Sequence, residues 1–184
     1  MKTNIEWVFL LLETENKEMI FVKENNEKQK PRKRQGQYFI PAWTQEPGED
    51  IQTTIHREFE EETWLNGSTD IVTKTLTKIW ELLLETKEFQ LKAHVYKGSI
   101  PTNASIKEHK YNSEEIESIQ LIKPELIIEQ TIKNIRPWLI EAILLQEGIA
   151  SDIIQIEDGN YKDLKTALSK QQTLQWLYKQ RQWF

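Results

Sequence analysis

Two short apolar runs near the start of the chain predict a pair of β-strands. Residues 5–12 read IEWVFLLL and residues 19–22 read MIFV, with mostly polar residues between them. Continuous apolar runs of this length, bounded by polar turn residues, are typical of strands buried on both faces. We therefore expect the chain to enter its fold through two strands joined by a turn.

A second β-rich region follows in the middle of the chain. Residues 71–85 and 89–96 are rich in apolar and aromatic side chains, and residues 86–88 between them read as a hairpin loop. In the second segment apolar and polar residues alternate, which places His94 on the more polar face of its strand. A lone histidine on such a face is typically a hydrogen-bonded surface group.

Helical spacing begins at residue 50. Asp50 is a suitable N-cap, and Ile51, Ile55 and Phe59 form an apolar stripe along a helix predicted over residues 50–63. Further along, Pro124 suits the first turn of a helix that Pro137 interrupts. Residues 158–160, Asp-Gly-Asn, predict a turn, and leucines spaced at helical intervals predict one or two amphipathic helices over residues 161–183.

The first of these helices carries a cluster of carboxylates. At about 100° per residue, Glu58, Glu61 and Glu62 fall within roughly 100° of arc, and Glu60 points to the opposite side. Like charges at this spacing repel, so the cluster needs either open solvent or a cation. Carboxylate oxygens on a rigid element suit Mg²⁺ or Mn²⁺, so we predict a metal site here, with a solvated surface as the alternative.

Composition narrows the class of protein. The 184 residues suffice for one domain with a substantial core, and the absence of cysteine excludes disulfides and thiolate metal sites. No apolar stretch approaches about 20 residues, and the N-terminus lacks the features of a secretory signal. We therefore expect a cytoplasmic protein with no membrane association. The net charge of −5 argues against general nucleic-acid affinity.

A basic loop precedes the acidic helix. Residues 28–34 read KQKPRKR, with five basic residues and a proline. We expect Lys23, Arg32 and Arg34 to attract the phosphates of a substrate, because a polyphosphate site needs cations beside its metal-binding carboxylates. A solvated charged loop and an RNA-binding patch are the alternatives.

Residues 41–65, PAWTQEPGEDIQTTIHREFEEETWL, resemble the Nudix box. The pattern of that family is Gly, five residues, Glu, seven residues, and then Arg-Glu-apolar-x-Glu-Glu-x-Gly-apolar. Glu49 and the run that starts at Arg57 match every charged position in register. Both glycines are replaced, the first by Trp43 and the second by Trp64.

The replacements matter because glycine serves where φ is positive or where the backbone approaches a ligand. In the family, the backbone carbonyl at the first glycine helps to coordinate the metal, so the direction of the Trp43 carbonyl becomes a structural question. At the end of the helix, Asn66 and Gly67 would supply the left-handed stop that Trp64 is poorly suited to give.

The resemblance implies an α/β fold, a Nudix-like α/β/α sandwich with a mixed sheet and a C-terminal helical extension. We expect residues 1–148 to form the Nudix-like domain and residues 149–184 to pack on the same domain as an extension. The alternative role of the extension is contact with a second copy of the chain in a homodimer.

The resemblance also implies an activity and assigns roles to residues. It predicts a Mg²⁺- or Mn²⁺-dependent pyrophosphohydrolase that cleaves a nucleoside diphosphate linked to another group. Arg57 would steady the acidic residues through an ion pair. The general base would be Glu58 or a carboxylate of a later loop, with Glu115 the best match and Glu108 and Glu114 the other candidates.

Two other functions remain open from the sequence. The chain could be a catalytically silent Nudix-fold module that binds a nucleotide or a protein. It could also be an RNA-processing hydrolase of the decapping type, with the basic loop holding the strand. Retention of the three box glutamates favours catalysis over the silent module.

Overall fold

The computed structural model describes most of the chain. The described residues are 3–25, 36–63, 72, 74–85, 89–101, 116–147, 159–161 and 164–181.

The described strands form one mixed sheet in the order β3-β2-β1-β6-β5-β8, with β4 paired to β1 and β7 paired to β2. The strands are β1 (Thr3–Glu13), β2 (Met19–Glu24), β3 (Tyr38–Phe39), β4 (Ala42–Thr44), β5 (Thr77–Glu85), β6 (Phe89–Ser99), β7 (Ile116–Ile122) and β8 (Gly159–Tyr161).

Helices pack on both faces of this sheet. The helices are α1 (Ile51–Thr63), α2 (Pro124–Ile128), α3 (Leu139–Gln146) and α4 (Leu164–Arg181), with one 3-10 turn over Ile132–Asn134. None of the helices in the described ranges is long and apolar enough to span a membrane.

The core is divided by the sheet into two clusters. One cluster contains Ile55 and Phe59 of α1 together with alternate residues of β1 and β2. The other contains residues of α2, α3 and α4 packed on the remaining sheet positions. The predicted α/β/α sandwich is thereby confirmed, with the later helices on the side away from α1.

β1 is the central strand. It pairs in parallel with β6 from Thr3↔Phe89 to Glu13↔Ser99, and antiparallel with both β2 and β4. Residues 8–12 are buried, as a strand covered on both faces requires. The two predicted N-terminal strands and the turn between them are confirmed.

Two local predictions were wrong. β5 begins at Thr77 and not at residue 71, since Val72, Lys74 and Thr75 are helical. Residues 158–160 were expected to form a turn, but Gly159 begins β8, which pairs in parallel with β5. Pairing with the free edge of β5 outweighs the local turn preference of Gly and Asn there.

The C-terminal helix shares the core of the rest of the chain. Ala167, Leu174 and Tyr178 belong to the same cluster as α3. The side-chain amide of Gln175 donates to the carbonyls of Ile128 and, at 2.7 Å, of Gln130. These contacts support our proposal that residues 149–184 extend one domain and do not form a second.

Two leucines of α4 provide a matched test of this packing. We expect Leu174→Ala to lower the free energy of unfolding by about 2–5 kcal/mol, because Leu174 is 2% exposed and its loss leaves a cavity. Leu168→Ala should cost about 0.5 kcal/mol, because Leu168 is 37% exposed. Urea denaturation of both variants measures the difference, and equal losses would contradict the docking of α4.

Candidate active site

The helix α1 begins with a turn and a side-chain cap. Gly48 has φ of 85°, a conformation that favours glycine and turns the chain into the helix. Asp50 Oδ1 then accepts the backbone N–H of Thr53 at 2.8 Å. This hydrogen bond lowers the pKa of Asp50 and confirms the predicted N-cap.

The guanidinium of Arg57 donates two hydrogen bonds to the carboxylate of Glu49. Nε donates to Oε1 at 3.0 Å and Nη2 donates to Oε2 at 2.9 Å. The Thr54 hydroxyl donates to the same Oε2 at 2.8 Å. The hydrogen bonds from Arg57, aided by that from Thr54, lower the pKa of Glu49 to about 2. The pKa of Arg57 is raised in turn.

The same guanidinium also holds Glu58. Arg57 Nη1 donates to Glu58 Oε1, so one side chain joins the residue before the helix to the first carboxylate of the acidic face. Within the described residues, no protein group bonds Glu58 Oε2. The side chain of Glu58 is 20% exposed, so an external ligand can reach it.

The indole of Trp43 packs beneath α1. Trp43 is 3% exposed, and its ring meets that of Phe59 edge to face with centroids 6.1 Å apart. Trp43 lies in the extended strand β4 and does not have positive φ. Trp43 stands where the family has its first glycine, and its backbone conformation in this chain is one that any residue can adopt.

The register of β4 on β1 determines where the Trp43 carbonyl points. Leu10 N–H donates to the Pro41 carbonyl and Gln45 N–H donates to the Glu6 carbonyl, both at 2.9 Å. The pair Val8↔Trp43 lies two residues from each, so it is also a hydrogen-bonded pair. The Trp43 carbonyl therefore faces β1 and not α1, and the carbonyls of Ala42 and Thr44 point away from β1.

The remaining box glutamates are only partly described. Glu61 and Glu62 lie in α1, whose helical backbone is confirmed to Thr63, but their side chains lie outside the described residues. Within the described part of the chain, no three His, Cys, Asp or Glu side chains converge as metal ligands. Five further predicted residues also lie outside the described ranges: Arg32, Arg34, Glu108, Glu114 and Glu115. Trp64 is outside them too.

Lys23 is engaged by a carboxylate. Its Nζ lies 2.7 Å from Glu117 Oε1 of the neighbouring strand β7, and this hydrogen bond raises the pKa of Lys23. A phosphate that binds Lys23 must compete with that ion pair. Both partners are partly exposed, so the competition is possible at modest cost.

Sequence reasoning missed two supporting residues, Thr54 and Gln45. Thr54 and Gln45 both bond Glu49, the first through its carboxylate and the second through its backbone carbonyl. Their closeness to Glu49 in the sequence could have indicated these contacts, since Gln45 precedes Glu49 by four residues and Thr54 follows it by five. His94, expected on the surface, is 9% exposed.

Comparison with known proteins identifies the family. A sequence model of the NUDIX domain matches residues 4–143. A search of curated proteins by sequence found no match.

Solved structures of low sequence identity share the fold. A MutT protein from Methanosarcina mazei Go1 is 17% identical, with a TM-score of 0.55 over 79% of this chain and 93% of that one. The NUDIX domain of Shewanella oneidensis NrtR, solved with ADP ribose, is 11% identical, with a TM-score of 0.59 over 82% and 91%. A mutT/nudix family protein from Listeria innocua is 16% identical, with a TM-score of 0.54 over 82% and 95%.

The chain belongs to the Nudix family. It is a hydrolase that acts on phosphoanhydride bonds, of the general class that cleaves nucleotide derivatives. Nudix hydrolases generally use divalent metal ions. Glu58 lies on the helix face that also carries Glu61 and Glu62, and its carboxylate oxygen is a ligand of the kind that such a cation prefers.

The ion pair of Glu49 with Arg57 predicts a pH dependence of stability. The pKa of Glu49 is lower in the folded protein than in the unfolded chain, so its contribution is present above the unfolded pKa of about 4.5. It is lost as the pH falls from there towards about 2. Urea denaturation across this range should show a loss in the parent protein that Glu49→Gln lacks. Parallel pH profiles for the two proteins would contradict the ion pair.

The contact of Trp43 with Phe59 predicts a coupling between two core residues. We expect a double-mutant cycle with Trp43→Leu and Phe59→Leu to give a coupling free energy of about 1 kcal/mol, as an edge-to-face pair provides. The measurement is urea denaturation of the parent protein, both single variants and the double variant. Additive losses would show that the ring contact contributes nothing beyond burial.

Proposed function

We propose that the chain is a Mg²⁺- or Mn²⁺-dependent pyrophosphohydrolase that cleaves a nucleoside diphosphate linked to another group. The observation that carries the proposal is the network of Glu49, Arg57 and Glu58, because it holds an acidic helix face in a defined position. A silent module has no need of an arginine that orients a metal-binding carboxylate.

The carboxylates of Glu58, Glu61 and Glu62 would hold the cation. The chemistry that a divalent ion supplies in such a site is neutralisation of the diphosphate charge and a lowered pKa of a coordinated water. Arg57 orients the Glu58 carboxylate through Nη1 and keeps it from turning away from the site. Arg32, Arg34 and Lys23 would attract the remaining phosphate charge, Lys23 by exchanging Glu117 for the substrate.

The proton of the attacking water needs an acceptor. We propose Glu58 or Glu115 for this role, with Glu108 and Glu114 as further candidates. A carboxylate suits the task because a water of lowered pKa needs only weak assistance.

The nature of the group beyond the diphosphate stays open. The NUDIX domain from Shewanella oneidensis was solved with ADP ribose, which makes ADP-ribose a reasonable first substrate to assay. The prediction of RNA as a substrate rests on residues 28–34, all of which lie outside the described ranges. It therefore stays a prediction. The homodimer likewise stays a prediction.

Substitution of single glutamates along α1 tests the proposal. With a panel of ADP-ribose, dinucleotides, nucleoside triphosphates, nucleotide sugars and capped RNA, the parent protein should show turnover that requires Mg²⁺ or Mn²⁺. Each of Glu58→Gln, Glu61→Gln and Glu62→Gln should lower kcat/KM about a hundredfold or more, since even residues that only support metal ligands cost about 10–100-fold.

Glu60→Gln is the matched control. It makes the same chemical change in the same helix, but helical geometry points Glu60 to the opposite side, so its kcat/KM should stay near the parent value. The proposal fails if the parent protein turns over none of the panel, or if Glu60→Gln is as damaging as the other three variants.

A further inference from the structure

Helix α1 carries a fully buried hydroxyl group that is bonded to the Glu49 carboxylate. Thr54 is 0% exposed, and its Oγ1 lies 2.8 Å from Glu49 Oε2. Glu49 is largely buried as well, with a side chain that is 10% exposed. The contact between the two side chains is therefore internal to the protein.

The Thr54 hydroxyl has one hydrogen to donate and two acceptors within reach. Besides Glu49 Oε2, the carbonyl oxygen of Asp50 lies 3.2 Å from Thr54 Oγ1. A hydrogen bond to the carbonyl four residues earlier is an ordinary arrangement for a threonine inside a helix. The carboxylate is the closer acceptor and the charged one, and charge-assisted hydrogen bonds are about twice as strong as neutral ones. The hydroxyl hydrogen is thus directed at Glu49.

The carboxylate of Glu49 needs such an anchor because the arginine that it binds is flexible. Arg57 reaches Glu49 through a long side chain with several rotatable bonds, whereas Thr54 is branched at Cβ and stiff about χ1. The backbone N–H of Glu46 donates to the same Oε2 at 3.2 Å. Two short connections therefore fix this oxygen, one from the turn before the helix and one from the helix itself.

The position of the Glu49 carboxylate determines where the rest of the guanidinium lies. Nε and Nη2 of Arg57 donate to Glu49, which leaves Nη1 as the nitrogen that reaches Glu58 Oε1. Because the guanidinium is planar and rigid, a rotation of the Glu49 carboxylate carries Nη1 with it. The orientation of Glu58 thus depends on the Thr54 hydroxyl through two intervening side chains.

We propose that Thr54 is a positioning residue of the active site. Its hydroxyl fixes the Glu49 carboxylate, the carboxylate fixes the guanidinium of Arg57, and the guanidinium holds Glu58 as a ligand for the cation. The inference rests on the proposed function, because that function gives the orientation of Glu58 its purpose.

Two substitutions separate the hydroxyl from the shape of the side chain. Thr54→Val keeps the branched shape but removes the hydroxyl, so Glu49 keeps Arg57 and loses its short anchor. Thr54→Ser keeps the hydroxyl and removes only the methyl group. Thr54→Ser should therefore resemble the parent protein wherever Thr54→Val departs from it in the behaviour of Arg57 or of the metal site.

Thr53→Val is the matched control. Thr53 precedes Thr54 and is exposed, and its backbone and side chain donate hydrogen bonds to the N-cap Asp50. The substitution removes a hydroxyl that bonds a carboxylate at the same helix start, but it leaves the connection from Glu49 to Glu58 intact. It shows what the loss of a hydroxyl does to the helix alone.

Nitrogen NMR of the arginine side chains in the presence of EDTA reports on Arg57 without metal or substrate. The chain has five arginines, and Arg57→Lys assigns the relevant signals. A guanidinium that is held by two carboxylates rotates slowly about its Nε–Cζ bond and gives separate Nη signals. The two Nη signals of Arg57 should exchange several-fold faster in Thr54→Val than in the parent protein, Thr54→Ser or Thr53→Val.

Titration with Mn²⁺, followed by the electron paramagnetic resonance of the free ion, measures the consequence for the metal site. Thr54→Val should raise the Kd for Mn²⁺ about three- to tenfold, since residues bonded directly to metal ligands cost about 10–100-fold and Thr54 lies further out. At limiting Mn²⁺, kcat/KM should fall by a similar factor. Thr54→Ser and Thr53→Val should keep both quantities near the parent values.

The proposal is overturned if Thr54→Val matches the parent protein in either Arg57 exchange or Mn²⁺ affinity. It is also overturned if Thr54→Ser or Thr53→Val is as damaging as Thr54→Val. Circular dichroism verifies that each variant is folded. Thr54→Ala, which also lacks the hydroxyl and favours a helix, takes the place of Thr54→Val if valine unfolds the protein.

These measurements separate the inference from the proposed function. A parent protein that neither binds Mn²⁺ nor turns over any substrate would refute the hydrolase, and the Arg57 signals alone would then decide whether Thr54 positions the guanidinium. Turnover by the parent protein with unchanged Arg57 signals in Thr54→Val would leave the hydrolase standing and refute the role of Thr54.

Discussion

One guanidinium holds two carboxylates, and the order of the candidate active site depends on it. Arg57 bonds Glu49 through Nε and Nη2 and Glu58 through Nη1. Glu49 precedes the helix and Glu58 lies two turns along it, so the arginine fixes the entry of the chain and the acidic face together. A lysine could not do the same, because a single ammonium lacks the planar fork that serves two carboxylates at once.

The two sides of the sheet divide structural and chemical roles. The side covered by α2, α3 and α4 is a packed core that includes the C-terminal extension. The side covered by α1 has an apolar cluster beneath that helix, and further along the same face Lys78 and Lys92 of β5 and β6 form ion pairs with Glu81. Trp43 lies at the boundary between the two parts of this face. Its ring packs against Phe59 of α1, and it pairs across the sheet with Val8, which pairs in turn with His94.

Local patterns were sufficient to predict β1, β2, β6 and most of β5, together with the capped helix and the family. Asp50 and the spacing from Glu49 to Arg57 predicted the start of α1 and its ion pair, since both depend on residues close in sequence. Lys23 and His94 show what such patterns miss. Each was predicted from the pattern of its own strand. The charged partner of Lys23 is Glu117 of β7, and the carboxylates near His94 belong to β1 and β5. The sequence does not specify strand order, so cross-strand partners were out of reach.

The start of β8 at Gly159 illustrates the same limit. Gly and Asn predict a turn by their local preferences, yet the open edge of β5 supplies hydrogen-bond partners that make a strand. The direction of the Trp43 carbonyl likewise followed only from the bonds that flank it on β1.

The parallel pairing of β1 with β6 has a consequence for how the protein is made. Among the described strands β1 leaves the ribosome before the others and carries the buried apolar run of residues 8–12, and its full-length partner is not synthesised until the chain reaches Phe89. Pairings between distant segments form slowly, because the intervening loop must close first. During that interval the apolar edge of β1 has only β2 and β4 as partners, so the nascent chain is most prone to aggregate before β6 has emerged.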